Sequence, residues 1–176
     1  RLAKMTDGMK FAYADPPYLG SARKLYGALH PEAAIYDTIE GHSTLIERLS
    51  DEYPDGWALS MGSNNLRTLL PLCPDDVRVG ACVKPFAIFK PNVNPAYAWE
   101  PVVFRGGRRL GRDVPTIRDW HSENITLKRG LTGAKPQGFV RWVIAFLGVQ
   151  PADELHDLFP GTGIVSEVLK SISEAA

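Results

Sequence analysis

The sequence predicts an α/β layer fold built on a mostly parallel sheet. Three observations carry this. Short apolar strands alternate with helical stretches along the 176 residues. Glycine or proline punctuates the strand ends, and two loops, Asp15–Tyr18 and Phe159–Gly163, each follow a strand directly. In such sheets ligands bind beyond the carboxyl ends of the strands, so these two loops are the first places to look for function.

In chain order, Lys10–Ala14 is short and aromatic-rich and stops at Asp15-Pro16-Pro17, where two prolines end the ladder. His42–Tyr53 sets Leu45, Ile46 and Leu49 among polar residues at helical spacing. Gly56–Met61 reads as a buried strand closed by Gly62, Asn64–Leu70 as a short helix stopped by Pro71, and Val77–Val83 as another strand. Lys84–Ala98 holds three prolines and two asparagines and reads as an extended loop. Trp99–Arg105 is a strand whose Pro101 suits an edge or strand-start position. Gln137–Leu147 is an apolar helix, Glu154–Phe159 a strand, and Gly161-Thr162-Gly163 turns that strand into the helix Ile164–Ile172. No repeat, low-complexity segment or linker divides the chain, so residues 1–176 are expected to form a single domain.

Composition removes several function classes. An apolar fraction of 44% and a charged fraction of 23% exclude a disordered chain. No apolar run approaches the ~20 residues of a membrane span, and Arg1 to Lys10 lacks a signal-peptide core, so no membrane role and a cytoplasmic location are expected. Cys73 and Cys82 form no C-x-x-C pair and read as two reduced thiols. His30, His42, His121 and His156 show no metal-ligand spacing, and no metal is expected. His42 is placed at a helix start, and the four tryptophans are read as core or loop anchors.

Net charge is zero, which argues against indiscriminate polyanion binding, but its distribution is uneven. Residues 31–76 hold nine acids against two bases, and residues 101–135 eight bases against three acids. Arg105, Arg108, Arg109 and Arg112 crowd into eight residues with three glycines, followed by Lys128, Arg129 and Lys135. Such a run is usually a solvated face; it is also the form of a phosphate-contacting segment.

Asp15-Pro16-Pro17-Tyr18 reads either as a rigid loop with a helix-capping acid or as the seat of a specific chemistry. The exocyclic amine of a nucleobase is a poor nucleophile because its lone pair is delocalised into the ring. Acceptors that hold its N–H bonds pull the nitrogen toward tetrahedral geometry and free that lone pair. Asp15 supplies one acceptor and a carbonyl of the proline pair another. The prolines carry no N–H to compete and fix φ near −65°. Tyr18 offers a plane on which an extruded base stacks. Catalysis would rest on position and electrostatics, without a covalent enzyme intermediate.

The second loop reads Asp157-x-Phe159-Pro160-Gly161-Thr162-Gly163. Its glycines allow close backbone approach, and the following helix N-terminus can orient a carboxylate. It lacks the Lys-Ser/Thr of a P-loop and the third glycine of a dinucleotide fingerprint, so a smaller, carboxylate-bearing ligand fits better.

Together the two loops resemble the paired signatures of DNA amino-methyltransferases, with the catalytic motif before the cofactor motif as in the circularly permuted beta group. Gly133-Ala134-Lys135-Pro136 is similar to that group's Lys-Pro element, and the stretch from Val83-Lys84-Pro85 to Trp99–Phe104 to its late strands. More narrowly, the chain resembles compact DNA methylase-like proteins of actinobacteria and their phages. The resemblance implies a Rossmann-like S-adenosylmethionine-dependent methyltransferase fold and transfer of a methyl group to adenine N6 in DNA. Cytosine N4, RNA adenine, or a non-catalytic nucleic-acid-binding or partner subunit are the alternatives. It implies Asp15, Pro16, Pro17 and Tyr18 as catalytic. Lys135, Pro136, Asp157, Phe159, Pro160, Gly161, Thr162 and Gly163 would hold S-adenosylmethionine. Thirteen residues follow Gly163 and read as one helix, so the family's next strand, whose acid grips the cofactor ribose, has no counterpart here, and Glu174 is a poor substitute. The expected sheet is therefore reduced to about five strands. With no separate target-recognition domain in view, base selection falls to Leu19–Gly41, with Tyr26, His30 and Tyr36, and to the arginine segment.

Overall fold

A computed structural model describes residues 8–26, 31–86, 91–124 and 134–174. The strands are β1 (Lys10–Ala14), β2 (Gly56–Ser60), β3 (Arg78–Val83), β4 (Trp99–Gly106), β5 (Trp120–Ser122) and β6 (Glu154–Asp157). The helices are α1 (Ala22–Tyr26), α2 (Ile39–Glu52), α3 (Leu66–Leu69), α4 (Gln137–Leu147) and α5 (Ile164–Ser173). They form one mixed sheet in the order β5-β3-β4-β2-β1-β6. β1 lies parallel to both β2 and β6 and β3 parallel to β5, whereas β4 runs antiparallel to β2 and β3.

Period-two alternation sorts the central strands between two cores. Phe11, Tyr13, Ala58, Val102 and Phe104 face α4 and α5, packing against Phe139, Val143, Leu147, Val165 and Val168. Ala12, Ala14, Trp57, Leu59 and Val103 face α2 and α3, packing against Leu45, Ile46, Leu49 and Leu69. Every residue of β2 is buried, as expected of a strand covered on both faces. The result is a three-layer α/β/α arrangement.

The differences from the sequence reading have physical causes. There are six strands among the described residues rather than about five; the extra one, β5, is three residues long and pairs only with β3. Pro101 lies in the interior strand β4, not at an edge. It sits one step past Val102, whose partner Ser60 is the last residue of β2, so the missing N–H falls where that ladder has ended, and its carbonyl accepts from Met61 N at 3.2 Å. Helix α2 starts three residues before His42. Thr38 caps it by accepting from Gly41 N at 3.1 Å, which leaves His42 inside the helix and fully buried. Past α3, Pro71 sits in a 3-10 turn, Leu70–Leu72, rather than at a bare stop. Helix α1 and the 3-10 segment Pro31–Asp37 lie in a stretch without helical periodicity; Asp37 ties them by accepting from Ala22 N and Arg23 N, both at 2.8 Å. Among the described residues no helix is long and apolar enough to cross a membrane.

Candidate active site

The topology brings distant charges to one rim. β1 and β6 are neighbouring parallel strands, and Asp15 and the loop from Leu158 follow their carboxyl ends. After β1 the chain passes to α2 on one face of the sheet, and after β6 to α5 on the other. A crevice between strands whose connections diverge in this way is where open α/β sheets hold ligands. Because β4 is antiparallel to β2, its amino end, with Glu100, reaches the same rim. Val83 pairs with Trp99, so Lys84 arrives there too.

These residues meet at one buried ammonium. Lys135 Nζ lies 3.1 Å from Asp15 Oδ1, donates to Tyr18 Oη at 2.9 Å and to Glu100 Oε2 at 3.1 Å. The other Glu100 oxygen accepts from Lys84 Nζ. Lys135 also lies 5.4 Å from the Tyr18 ring centroid and 5.7 Å from that of Phe139, within cation–π range. Lys135 and Asp15 side chains are only 11% and 20% exposed, so water screens little of this.

Electrostatics assign protonation states. Burial pushes the Asp15 carboxyl above its usual range, and the Lys135 ammonium partly offsets it. Burial disfavours charge on Lys135, yet Asp15 and Glu100 outweigh it and hold the ammonium well above the ordinary lysine value. Burial likewise opposes ionisation of Glu100, but Lys135 and Lys84 prevail and hold its carboxyl low. The Tyr13 and Tyr18 phenols are raised by burial and stay neutral. Lys135 and Lys84 thus face Asp15 and Glu100. One Asp15 oxygen is engaged by Lys135, and a carboxylate retains acceptor capacity for an N–H donor beyond that.

The glycine loop has the shape of a cradle. Gly161 and Gly163 adopt φ of 45° and 76°, in the left-handed region. A Cβ at Gly163 would meet nothing within 4 Å, and one at Gly161 only the Phe159 carbonyl at 3.7 Å, so both face open space. Asp157 Oδ1 accepts from Phe159 N at 3.2 Å and holds the turn; its carboxyl is raised by burial and by the nearby Asp15 charge. Tyr36 packs edge-on to Phe159 at 5.2 Å, placing one of the base-selection candidates against this loop.

No protein-family model and no curated protein matches the sequence. Solved structures do match. The crystal structure of the M1.HpyAVI–SAM complex superposes with a TM-score of 0.60 at 12% identity, covering 94% of this chain and 79% of that one. The crystal structure of M1.HpyAVI does so with a TM-score of 0.56 at 11% identity, covering 94% and 77%. The fold is that of S-adenosylmethionine-dependent methyltransferases.

On this methyltransferase fold the candidate residues divide. Asp15, Tyr18 and Lys135 converge, and Asp157 to Gly163 line the neighbouring strand end. The arginines scatter. Arg108 Nη2 donates to both Asp153 oxygens, at 2.7 and 2.8 Å, and its Nε to the Gly148 carbonyl, and Arg105 pairs with Asp76 at 2.7 Å. Those two guanidiniums are engaged within the fold, whereas Arg109 and Arg112 are exposed. His30, Lys128 and Arg129 lie outside the described residues, as does the side chain of Tyr26. Glu100 and Lys84 were not singled out from the sequence. The available signal was a charged residue at the end of each of two apolar strands, and it becomes readable only once the strands are known to be antiparallel. Trp57 and Trp142 are core residues, and Trp99 and Trp120 are 39% and 46% exposed.

Proposed function

We propose that this chain is a single-domain S-adenosylmethionine-dependent methyltransferase acting on the exocyclic amine of a nucleobase, with adenine N6 in DNA as the favoured acceptor. The observation that carries the reading is the convergence of Asp15, Tyr18 and Lys135 beside an open glycine cradle at the adjacent strand end. The fold shared with M1.HpyAVI, solved with SAM, supports the cofactor. Gly161 and Gly163 would let the backbone approach it, with Asp157, Phe159, Pro160 and Thr162 around them and Lys135-Pro136 on the facing side. S-adenosylmethionine, when bound, supplies an electrophilic methyl group.

The protein's own residues would do the rest. Tyr18 stacks the extruded base. Asp15 and a carbonyl of Pro16 or Pro17 accept the two amine N–H bonds, which localises the nitrogen lone pair and stabilises the positive charge developing there. Lys135 fixes the Asp15 carboxylate, and Glu100, itself held by Lys84, fixes Lys135. Aspartate at position 15, where many cytosine enzymes of the resembling family carry serine, favours adenine. Calorimetric titration with S-adenosylmethionine and its demethylated product tests the cofactor assignment. Saturable binding of both is expected, and folded protein binding neither would remove it.

A further inference from the structure

The connection from β3 to β4 opens a cleft of about 600 Å³ against the turn after β2. Its walls include Asn64, Asn92, Asn94, Tyr97 and Trp99. Among the described residues, none that lines it is charged. Each carboxamide offers both donors and acceptors, the inventory needed for a base edge. The aromatics are unusually open for their size: Tyr97 is 59% and Trp99 39% exposed, and Phe86, on the same connection, is 62% exposed. Exposed aromatics grouped on one loop mark a binding surface more often than a packing accident.

This cleft lies next to the candidate active site. Trp99, which lines it, directly precedes Glu100, whose carboxylate bonds Lys135. On the other side, a Cβ at Gly62 would stand 2.7 Å from Asn64 Oδ1 and 3.3 Å from Tyr18 Cδ2, so Gly62 keeps the Asn64 amide close beside the Tyr18 ring. Asn65 follows in the same turn. Its Nδ2 donates to the Leu19 carbonyl at 3.2 Å, and its buried Oδ1 has no partner among the described residues.

We infer that this cleft is a second base-binding site, which takes the unstacked nucleobase flanking the one presented to Asp15. A neutral, amide-lined cleft with open aromatic faces suits a base rather than a phosphate, since stacking tolerates any base and carboxamides complement its edge. It would also hold the strand once the acceptor base has left its stack. The inference rests on the proposed function and deepens it.

The test is fluorescence anisotropy with an end-labelled single-stranded oligonucleotide, alongside methyl transfer and S-adenosylmethionine titration. Trp99→Ala and Tyr97→Ala should each weaken oligonucleotide binding about ten-fold, the lower half of the range for loss of one base stack. Cofactor affinity and melting temperature should hold, and Trp99→Phe should restore most of the affinity. An oligonucleotide lacking the base beside the acceptor should bind wild-type protein as weakly as the intact strand binds Trp99→Ala, and the two losses should not add. If wild type binds and methylates while both alanine variants bind the intact strand equally well, the cleft is not a base site and the functional reading survives. If wild type neither binds the strand nor methylates it, the functional reading itself falls, and the cleft assignment with it.

Discussion

Lys135 Nζ stands 3.1 Å from Asp15 Oδ1, joining the end of the first strand to the residue just before the N-cap of α4. The ammonium has a second carboxylate, Glu100, at the same distance. Lys135 is therefore a shared counter-ion, and it and Glu100 affect Asp15 in opposite senses.

That opposition sets a pH prediction. Asp15 must be ionised to accept an amine N–H, so activity should fall as pH drops through its folded pKa, which burial holds above the usual carboxylate value. Lys135 lowers that pKa and Glu100 raises it. Lys135→Met should move the acid limb of the rate profile to higher pH, and Glu100→Gln to lower pH. Profiles of kcat at saturating substrate check this. Shifts in the same direction would mean that the lysine does not act through Asp15.

A second prediction concerns the glycine cradle. Gly161→Val should lose S-adenosylmethionine affinity because its side chain enters the open space over the loop. No clash within the fold accompanies it, so the stability loss should be limited to the left-handed backbone, about 1–2 kcal/mol. A melting curve beside each titration separates the effects. A folded variant with unchanged affinity would move the cofactor elsewhere.

The arginine segment yields a third. Arg105 and Arg108 are held in ion pairs, so phosphate contact from this segment falls to Arg109 and Arg112. Replacing those two with Gln should flatten the slope of log affinity against log salt by up to about two units on duplex. Binding should weaken alike on cognate and scrambled sequences. An unchanged slope would make the segment a solvated surface.

Arg108 has a different task. Asp153 is 1% exposed and accepts from Met9 N and Gln150 N as well as from Arg108. Burial opposes its charge, but these donors outweigh it and hold its carboxyl below the usual value. Arg108→Ala should cost about 2 kcal/mol, since it removes the charged donor and leaves Asp153 only the Met9 and Gln150 amides. A carboxyl depressed in the folded state stabilises above its unfolded pKa and loses that contribution as pH falls through the folded one. The cost of Arg108→Ala, read by denaturant unfolding, should therefore shrink toward acid pH.

Much of the fold was legible because local pattern and burial agreed. Lys10–Ala14 and Gln137–Leu147 fall at the boundaries read from the sequence, each being apolar and bounded by proline or glycine. Helix α1 and strand β5 were not legible, since a five-residue helix and a three-residue strand are set by tertiary contacts rather than periodicity. At the site, Asp15 and Tyr18 announce themselves through the proline pair, and Lys135 through the proline after it. Glu100 does not, because its role depends on the antiparallel turn of β4. The pairing of Arg105 and Arg108 was not legible for a related reason: charge density along the chain does not reveal that Asp76 and Asp153 lie beside them in the fold.

The most direct test is methyl transfer itself. Wild-type protein and Asp15→Ala are incubated with methyl-labelled S-adenosylmethionine and unmethylated adenine-containing DNA, and the DNA is digested to nucleosides for mass spectrometry. Label in N6-methyladenine with wild type, and none with an Asp15→Ala protein that still binds the cofactor, is the predicted result. Equal labelling by both proteins, or none from a folded, cofactor-binding wild type on DNA or RNA, would contradict the assignment.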